Sequence, residues 1–355
     1  MAITRDQITD ILKTVNDPVS GKNLVDADVV RALTIDGDTV KFVIEVAPDV
    51  APKMEPVRVA AVQALQNAGI KDVSAILTAH ATKAPPPDLK VGGHPKPQAG
   101  PMKVPGVEKL IAIASGKGGV GKSTVSANLA TALVAEGKRV GLLDADVYGP
   151  SQPRMLGVSG RPSSPDGKTI IPLKNHGVTL MSMGLMVAEN EAVVWRGPML
   201  MGALQQMLGQ VQWGELDVLL VDLPPGTGDV QLTLSQKTEV TGAVVVSTPQ
   251  DIALLDARKA LNMFEKVGTP ILGMIENMST YICPNCGDEA HLFGHGGAKA
   301  EADKLGLPFL GEVPLDLSIR EAADGGMPIV VETPDSPQAQ AFRNIARNLI
   351  DNGVV

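Results

Sequence analysis

Three groups of residues have the types and spacing to do chemistry. The first is Gly116-Lys117-Gly118-Gly119-Val120-Gly121-Lys122-Ser123-Thr124. An apolar run, residues 110–114, precedes it, and Val125, Leu129, Ala132 and Leu133 follow on one helical face. That is the strand–loop–helix setting in which G-x-x-x-x-G-K-[ST] cradles phosphate. Glycines let backbone N–H groups turn toward phosphate oxygens, and the helix N-terminus adds the positive end of its dipole. Lys122 is expected to reach the β- and γ-phosphates, and the Ser123 hydroxyl to ligate Mg²⁺. Lys117 is a second lysine that the cradle itself does not need. Read alone, it is either a solvated loop residue or a group with work elsewhere.

The second group is acidic. Leu142-Leu143-Asp144-Ala145-Asp146 places two carboxylates at alternate positions after a buried strand. Such groups are costly there unless they serve a cation, a water or a turn. Asp146 can orient an attacking water, and Asp144 can hold Mg²⁺ through its waters. Val221-Asp222-Leu223-Pro224-Pro225-Gly226-Thr227-Gly228-Asp229 repeats the pattern. Asp222 fits the second carboxylate on the Mg²⁺ side, and the loop after it suits a switch that senses the γ-phosphate. The third group is Cys283-Pro284-Asn285-Cys286, with Asn277 shortly before it and Phe293-Gly294-His295-Gly296-Gly297 after it. One C-x-x-C gives two thiolates, whereas a soft-metal site wants four ligands. It can be a redox dithiol. It can join His291 and His295 in a zinc knuckle. Or two chains can each give two thiolates to one shared site.

These groups need a frame. From Val107 onward short apolar runs alternate with helical patterns, which predicts a mostly parallel sheet wrapped by helices. The expected strands are residues 110–114, 140–143, 218–221, 243–247, 271–275 and 309–311. The chemistry-bearing residues fall at their carboxyl ends, where such sheets bind ligands. Between them, Met181 to Met207 is methionine-rich, and Leu200, Leu204, Met207, Leu208 and Val211 keep helical spacing. Plain core is the simpler reading there, and an adaptable surface the other. The fold class is therefore α/β, preceded by a small α+β domain. That domain, residues 1–80, predicts a helix at 4–16 with a Thr4/Gln7 capping box, a hairpin around Asp36-Gly37-Asp38, a helix at 53–68 stopped by Gly69, and a strand at 73–78. Residues 81–105 are crowded with proline and glycine and read as a linker. Residues 106–355 form the domain with the three groups.

Composition narrows the functions. The net charge of −8 disfavours nucleic-acid and anionic-membrane surfaces. No apolar run reaches the roughly 18 residues that cross a bilayer. The N-terminus lacks a signal-peptide pattern, and Cys283 and Cys286 are the only cysteines. A cytoplasmic protein is expected.

With Lys117, the loop 116–124 resembles the deviant P-loop of the MinD/ParA/nitrogenase-iron-protein class. Together with 144–151, 222–229, 277–287, 293–297 and 311–316, the chain resembles the Mrp/ApbC (NBP-type) family of iron–sulfur carrier P-loop ATPases. The first eighty residues resemble the MIP18-like domain often fused ahead of it, here without a cysteine. The resemblance implies a homodimer that binds ATP and Mg²⁺ and carries a [4Fe–4S] cluster between Cys283 and Cys286 of both chains. The cluster passes from assembly proteins to apoprotein clients. The resemblance also implies that Lys117 acts on the partner's nucleotide, that Lys122 and Ser123 hold phosphate and Mg²⁺, and that Asp146 positions water. Asn277 matches the position that contacts the base. No N-K-x-D segment reads guanine, which favours ATP. Two rivals stand beside this reading. A MinD/ParA-type positioning ATPase needs a membrane-binding C-terminal helix or a basic DNA face. Phe342, Ile345, Leu349 and Ile350 instead suggest a terminal helix packed on its own domain. The other rival is an ATPase with a structural zinc knuckle.

Overall fold

The computed structural model describes residues 5–27, 29–36, 39–46, 50–70, 72–79, 100–186, 197–283 and 286–355. Contacts divide the chain into two units, Met1–Ala84 and Pro85–Val355.

In the first unit the period-two run after the turn becomes β2 (Thr39–Val46), antiparallel to β1 (Val30–Asp36) and parallel to β3 (Asp72–Ala79). Helices α1 (Arg5–Leu12) and α2 (Ala51–Asn67) complete it. Ile8, Leu12, Phe42, Ile44, Met54 and Leu65 are buried in one core. Gly69 ends α2 with φ +95°, a conformation that β-carbons resist. Thr4, Gly37 and Asp38, which the capping box and hairpin turn involve, lie outside the described residues.

The second unit is built on eight strands. They are β4 (Val107–Ala114), β5 (Val140–Asp144), β6 (Leu173–Asn175), β7 (Val178–Ser182), β8 (Leu216–Asp222), β9 (Gly242–Ser247), β10 (Ile271–Asn277) and, after a small hairpin, β13 (Phe309–Val313). That hairpin is β11 (Tyr281–Ile282) and β12 (Glu289–Ala290). The sheet order is β13-β10-β9-β4-β8-β5-β7-β6, parallel throughout except where β6 meets β7 antiparallel. The strand that feeds the glycine loop is thus central. Its alternate residues enter two cores, Ile111 and Ile113 on one face, Leu110, Ala112 and Ala114 on the other. A strand covered on both faces reads as a continuous apolar run, as this one does.

The helices follow in chain order: α3 (Lys122–Ala135), α4 (Gln152–Met155), α5 (Gly197–Gln210), α6 (Asp229–Lys237), α7 (Asp251–Lys266), α8 (Gly297–Leu305), α9 (Leu317–Asp324), α10 (Ile329–Glu332) and α11 (Pro337–Asp351). One core joins Val125, Leu129 and Leu133 of α3 to Phe342, Ile345 and Leu349 of α11. Each such side chain contributes about 1.5–3 kcal/mol on burial. Arg343 and Arg347 of α11 both reach Glu136 at the end of α3. The terminal helix is therefore spent on its own domain. Among the described residues no helix is long and apolar enough to cross a membrane.

Two features differ from the pattern expected of the sequence. Strands β6 and β7 extend the sheet beyond the six predicted, and Met181 lies in β7. Met102 exchanges backbone hydrogen bonds with Lys237 and Glu239, and Val104 is buried. Packing of this unit therefore begins inside the proline- and glycine-rich stretch, of which residues 81–99 lie outside the described residues.

Candidate functional site

The glycine loop is shaped by close approach. A β-carbon on Gly116 would sit 2.0 Å from the Asp256 carbonyl carbon of α7. Gly119 and Gly121 have φ of +83° and +77°, and Gly121 caps α3 in the left-handed region. Asn277, at the carboxyl end of β10, donates from Nδ2 to Val120 O at 2.8 Å. Asn277 thus braces the loop from a neighbouring strand end. Lys117, Lys122, Ser123, Asp146, Ser151 and Pro225 line one cavity of ≈ 250 Å³, together with Gly118, Gly119, Val120, Gly121 and Thr124. The first motif and the loops of the two aspartate motifs therefore meet in space.

Beneath that cavity lies a buried polar network. Lys122 Nζ donates to Asp222 Oδ1 at 2.5 Å and lies 3.4 Å from Ser123 Oγ. Ser126 Oγ donates to the same Asp222 oxygen at 2.8 Å. Gln152 Nε2 donates to Asp222 Oδ2 at 2.8 Å and to Ser123 O at 2.9 Å. Asp144 and Asp222 are fully buried and face each other in register across β5 and β8. Asp144 accepts from the backbone N–H groups of Asp146, Ser151 and Gln152 and from Ser182 Oγ. Burial first, and the Asp222 carboxylate second, push its pKa up to about 7 against those hydrogen bonds. Asp144 therefore organises the loop after β5, while Asp146, two residues further, reaches the cavity wall.

The loop after β8 is tied to the same place. Gly226 N donates to Ser115 O at 2.9 Å, just ahead of Gly116. Gln231 Nε2 holds the loop from α6 by donating to Pro224 O and Gly226 O. The loop after β8 is thereby tied to the strand end that feeds the glycine loop.

Cys283 and Cys286 stand at the tip of the β11–β12 hairpin, half-buried and exposed respectively. Cys283 N donates to Asp288 O, and Gly287 N to Cys283 O, each at 2.9 Å. The hairpin follows β10, so parallel topology puts the thiols on the same side of the sheet as the glycine loop. Among the described residues no group of three or more converging ligand atoms includes a thiolate. His291 and His295 stack with ring centroids 4.4 Å apart, and His295 Nε2 lies 3.1 Å from Glu312 Oε2. Among the described residues, the group whose ligand atoms converge is Glu276, His295 and Glu312, without a thiolate. Glu276 is occupied there as a cap, accepting from Gly296 N and Ala298 N at the start of α8.

Residues 106–350 match the family model described as NUBPL iron-transfer P-loop NTPase. The chain belongs to that family. Residues 5–76 match a second model, described as an iron–sulfur cluster assembly protein. An iron–sulfur cluster carrier protein of Synechocystis is 43% identical over 98% of this chain and 97% of its own length. The one from Haemophilus influenzae is 44% identical over 97% and 91%. Among solved structures, a nucleotide-binding protein of Archaeoglobus fulgidus in complex with ADP is 40% identical, with a TM-score of 0.58 over 66% of this chain and 92% of that one. The cell division ATPase MinD of Pyrococcus furiosus shares the fold at 25% identity, TM-score 0.51, over 69% and 99%.

Within this family frame, several residues of the network carry no motif of their own. Ser126, Gln152, Ser182, Gln231 and Glu276 were not singled out by sequence reasoning. Glu276 had a signal, a carboxylate in the otherwise apolar run Ile271-Leu272-Gly273-Met274-Ile275-Glu276. The others find partners up to 96 positions away and had none.

Proposed function

We propose that the protein is an ATP-hydrolysing iron–sulfur cluster carrier, in which two chains share one [4Fe–4S] cluster as cargo and pass it to apoproteins. The observation that carries this is the C-x-x-C hairpin standing on the same side of the sheet as a phosphate cradle that holds a second lysine, Lys117. Two thiolates on one chain are half of a cluster's ligand set. A second copy supplies the rest, and the same facing arrangement gives Lys117 a nucleotide on the partner to act on. Tyr148, Ile252, Leu255, Ile282, Leu292 and Leu317 are exposed. Each lies in sequence after the carboxyl end of a parallel strand, and exposed apolar side chains of this kind are what a docking face uses.

ATP fills the cavity with its phosphates on the loop 116–124. Lys122 leaves Asp222 for the phosphates, and Lys117 of the partner chain neutralises further charge. The Ser123 hydroxyl and the Asp222 carboxylate are hard oxygen donors beside this position, which suits Mg²⁺. Bound there, the ion neutralises phosphate charge. Asp146 holds the attacking water, and Asn277 keeps the loop in register beside the base. Asp144 fixes the loop that presents Asp146. Movement of the Pro224–Gly228 segment reports hydrolysis to the interface. Hydrolysis is thereby coupled to cluster loading or release. The setting is cytoplasmic, with assembly proteins as donors and neither membrane nor nucleic acid as partner.

The test is transfer. Anaerobically reconstituted protein is mixed with an apoenzyme that needs a [4Fe–4S] cluster, under a chelator that traps free iron. Recovery of the apoenzyme's activity that is lost in Cys283→Ala is expected. Recovery no faster than with free iron and sulfide overturns the carrier reading.

A further inference from the structure

Gln152 is completely buried, and three of its polar groups are accounted for. Its N–H donates to Asp144 Oδ2 at 3.1 Å. Its two amide protons go to Ser123 O and Asp222 Oδ2. Its Oε1 is buried with no hydrogen-bond partner among the described residues. The orientation of the amide is fixed by chemistry. Both neighbours of Nε2 are acceptors, so turning the group over would set oxygen against a carbonyl and a carboxylate. A buried acceptor left unfilled carries the whole cost of its desolvation. Glutamate in its place would lose both donations and bring a third carboxylate to Asp144 and Asp222. The site therefore calls for an amide, and the amide leaves one oxygen over.

The surroundings say what that oxygen is for. Its carboxamide donates to the Ser123 main-chain carbonyl and to Asp222 Oδ2, and the Ser123 hydroxyl and the Asp222 carboxylate are the hard oxygens that these two residues can offer a cation. Mg²⁺ gives up its hydration reluctantly and keeps several waters, each a strong donor. We propose that Gln152 is a positioning residue of the nucleotide site, whose Oε1 takes a hydrogen bond from the water shell of nucleotide-bound Mg²⁺. Through the bond from its N–H to Asp144, it links that ion to the loop that carries Asp146. This rests on the nucleotide reading given above. It predicts an effect on the Mg²⁺-dependent part of nucleotide affinity, which a purely structural strut would not single out.

Calorimetric binding of ADP, with Mg²⁺ and with a chelator instead, tests it on the full chain. The wild type gains affinity from Mg²⁺. Gln152→Met keeps the side chain's length and loses the acceptor together with both Nε2 donations. Its Mg²⁺ gain is expected to fall about tenfold, the scale of one hydrogen bond to a charged group, while chelated affinity changes by less than about threefold. Gln152→Asn keeps the amide but draws its oxygen back by one carbon, and is expected to lose part of the gain. A gain in Gln152→Met equal to wild type overturns the inference, as does an equal loss with and without Mg²⁺. If Gln152→Met fails to fold, Gln152→Asn decides, an unchanged Mg²⁺ gain overturning the assignment and a reduced one supporting it. A wild type that binds no ADP, or gains nothing from Mg²⁺, overturns the nucleotide reading and this inference with it. A wild-type gain that Gln152→Met keeps overturns the inference alone.

Discussion

Replacing Lys122 with methionine should damage the fold as well as the chemistry. Lys122 is 6% exposed and Asp222 fully buried, joined at 2.5 Å. Lys122→Met preserves much of the side chain's apolar length and removes its charge. Asp222 then keeps Ser126 Oγ and Gln152 Nε2 as donors but loses its counter-charge, with Asp144 in register on the next strand. Removing one partner of a buried ion pair costs about 3–5 kcal/mol. For a unit of this size each kcal/mol moves the melting temperature by about 2–4 °C, so a fall of about 6–20 °C is expected. Both tryptophans, Trp195 and Trp213, lie in the second unit, so tryptophan fluorescence follows its melting separately from the first. The control is Lys122→Met with Asp222→Asn. That double variant carries no orphaned charge and should melt above the Lys122→Met single variant. A drop below about 2 °C in the single variant, or strictly additive losses in the double, would refute the ion pair as the anchor of this network.

Other outcomes follow from the same geometry. Asp146→Ala should retain ATP binding in a filter assay yet lose at least about 10²-fold in turnover; unchanged turnover would move the water-positioning role to Asp144 or Asp229. The Asp144 pKa of about 7 lies above its ordinary 3.8, so the folded chain binds this proton more tightly than the unfolded one. Its contribution to stability is therefore full below about pH 4 and is lost as pH rises toward 7. Asp144→Asn should flatten that slope in melts taken across this range, and an identical slope would discard the assignment. Lys117→Ala chains mixed with Asp146→Ala chains should recover hydrolysis in the heterodimer although both homodimers are inactive. Heterodimers verified by tagged co-purification that remain inactive would place Lys117 in its own chain's site.

What the sequence revealed tracks how local each signal was. The glycine loop, the strand-end aspartates and the antiparallel β1–β2 pair are written in contiguous residues, and the structure places each as read. The register of Asp144 against Asp222 follows once both strands are parallel neighbours of one sheet. Strand β7 was hidden because Val178-Thr179-Leu180-Met181-Ser182 is short and runs into a methionine-rich stretch whose later half keeps helical spacing. Gln152 and Ser126 were illegible because their value lies in reaching Asp222, 70 and 96 positions away. The knuckle spacing of Cys283, Cys286, His291 and His295 was legible, but among the described residues no group of converging ligand atoms joins a thiolate to either histidine. His295 turns to Glu312 instead, and His291 Nδ1 lies 3.4 Å from Ser279 O. Sequence spacing counts residues, whereas a ligand set depends on where a hairpin and a loop point.

The shared cluster is tested most directly by counting metal against chains. Protein reconstituted anaerobically with iron and sulfide is analysed for iron, acid-labile sulfide and zinc, and its mass in solution is measured on the same sample. The account predicts iron and sulfide in equal amounts, about four of each per pair of chains, on a species of two chains' mass. Cys283→Ala and Cys286→Ala should each abolish it, while His291→Ala and His295→Ala should leave it intact. One zinc per single chain, lost in either histidine variant, would contradict it.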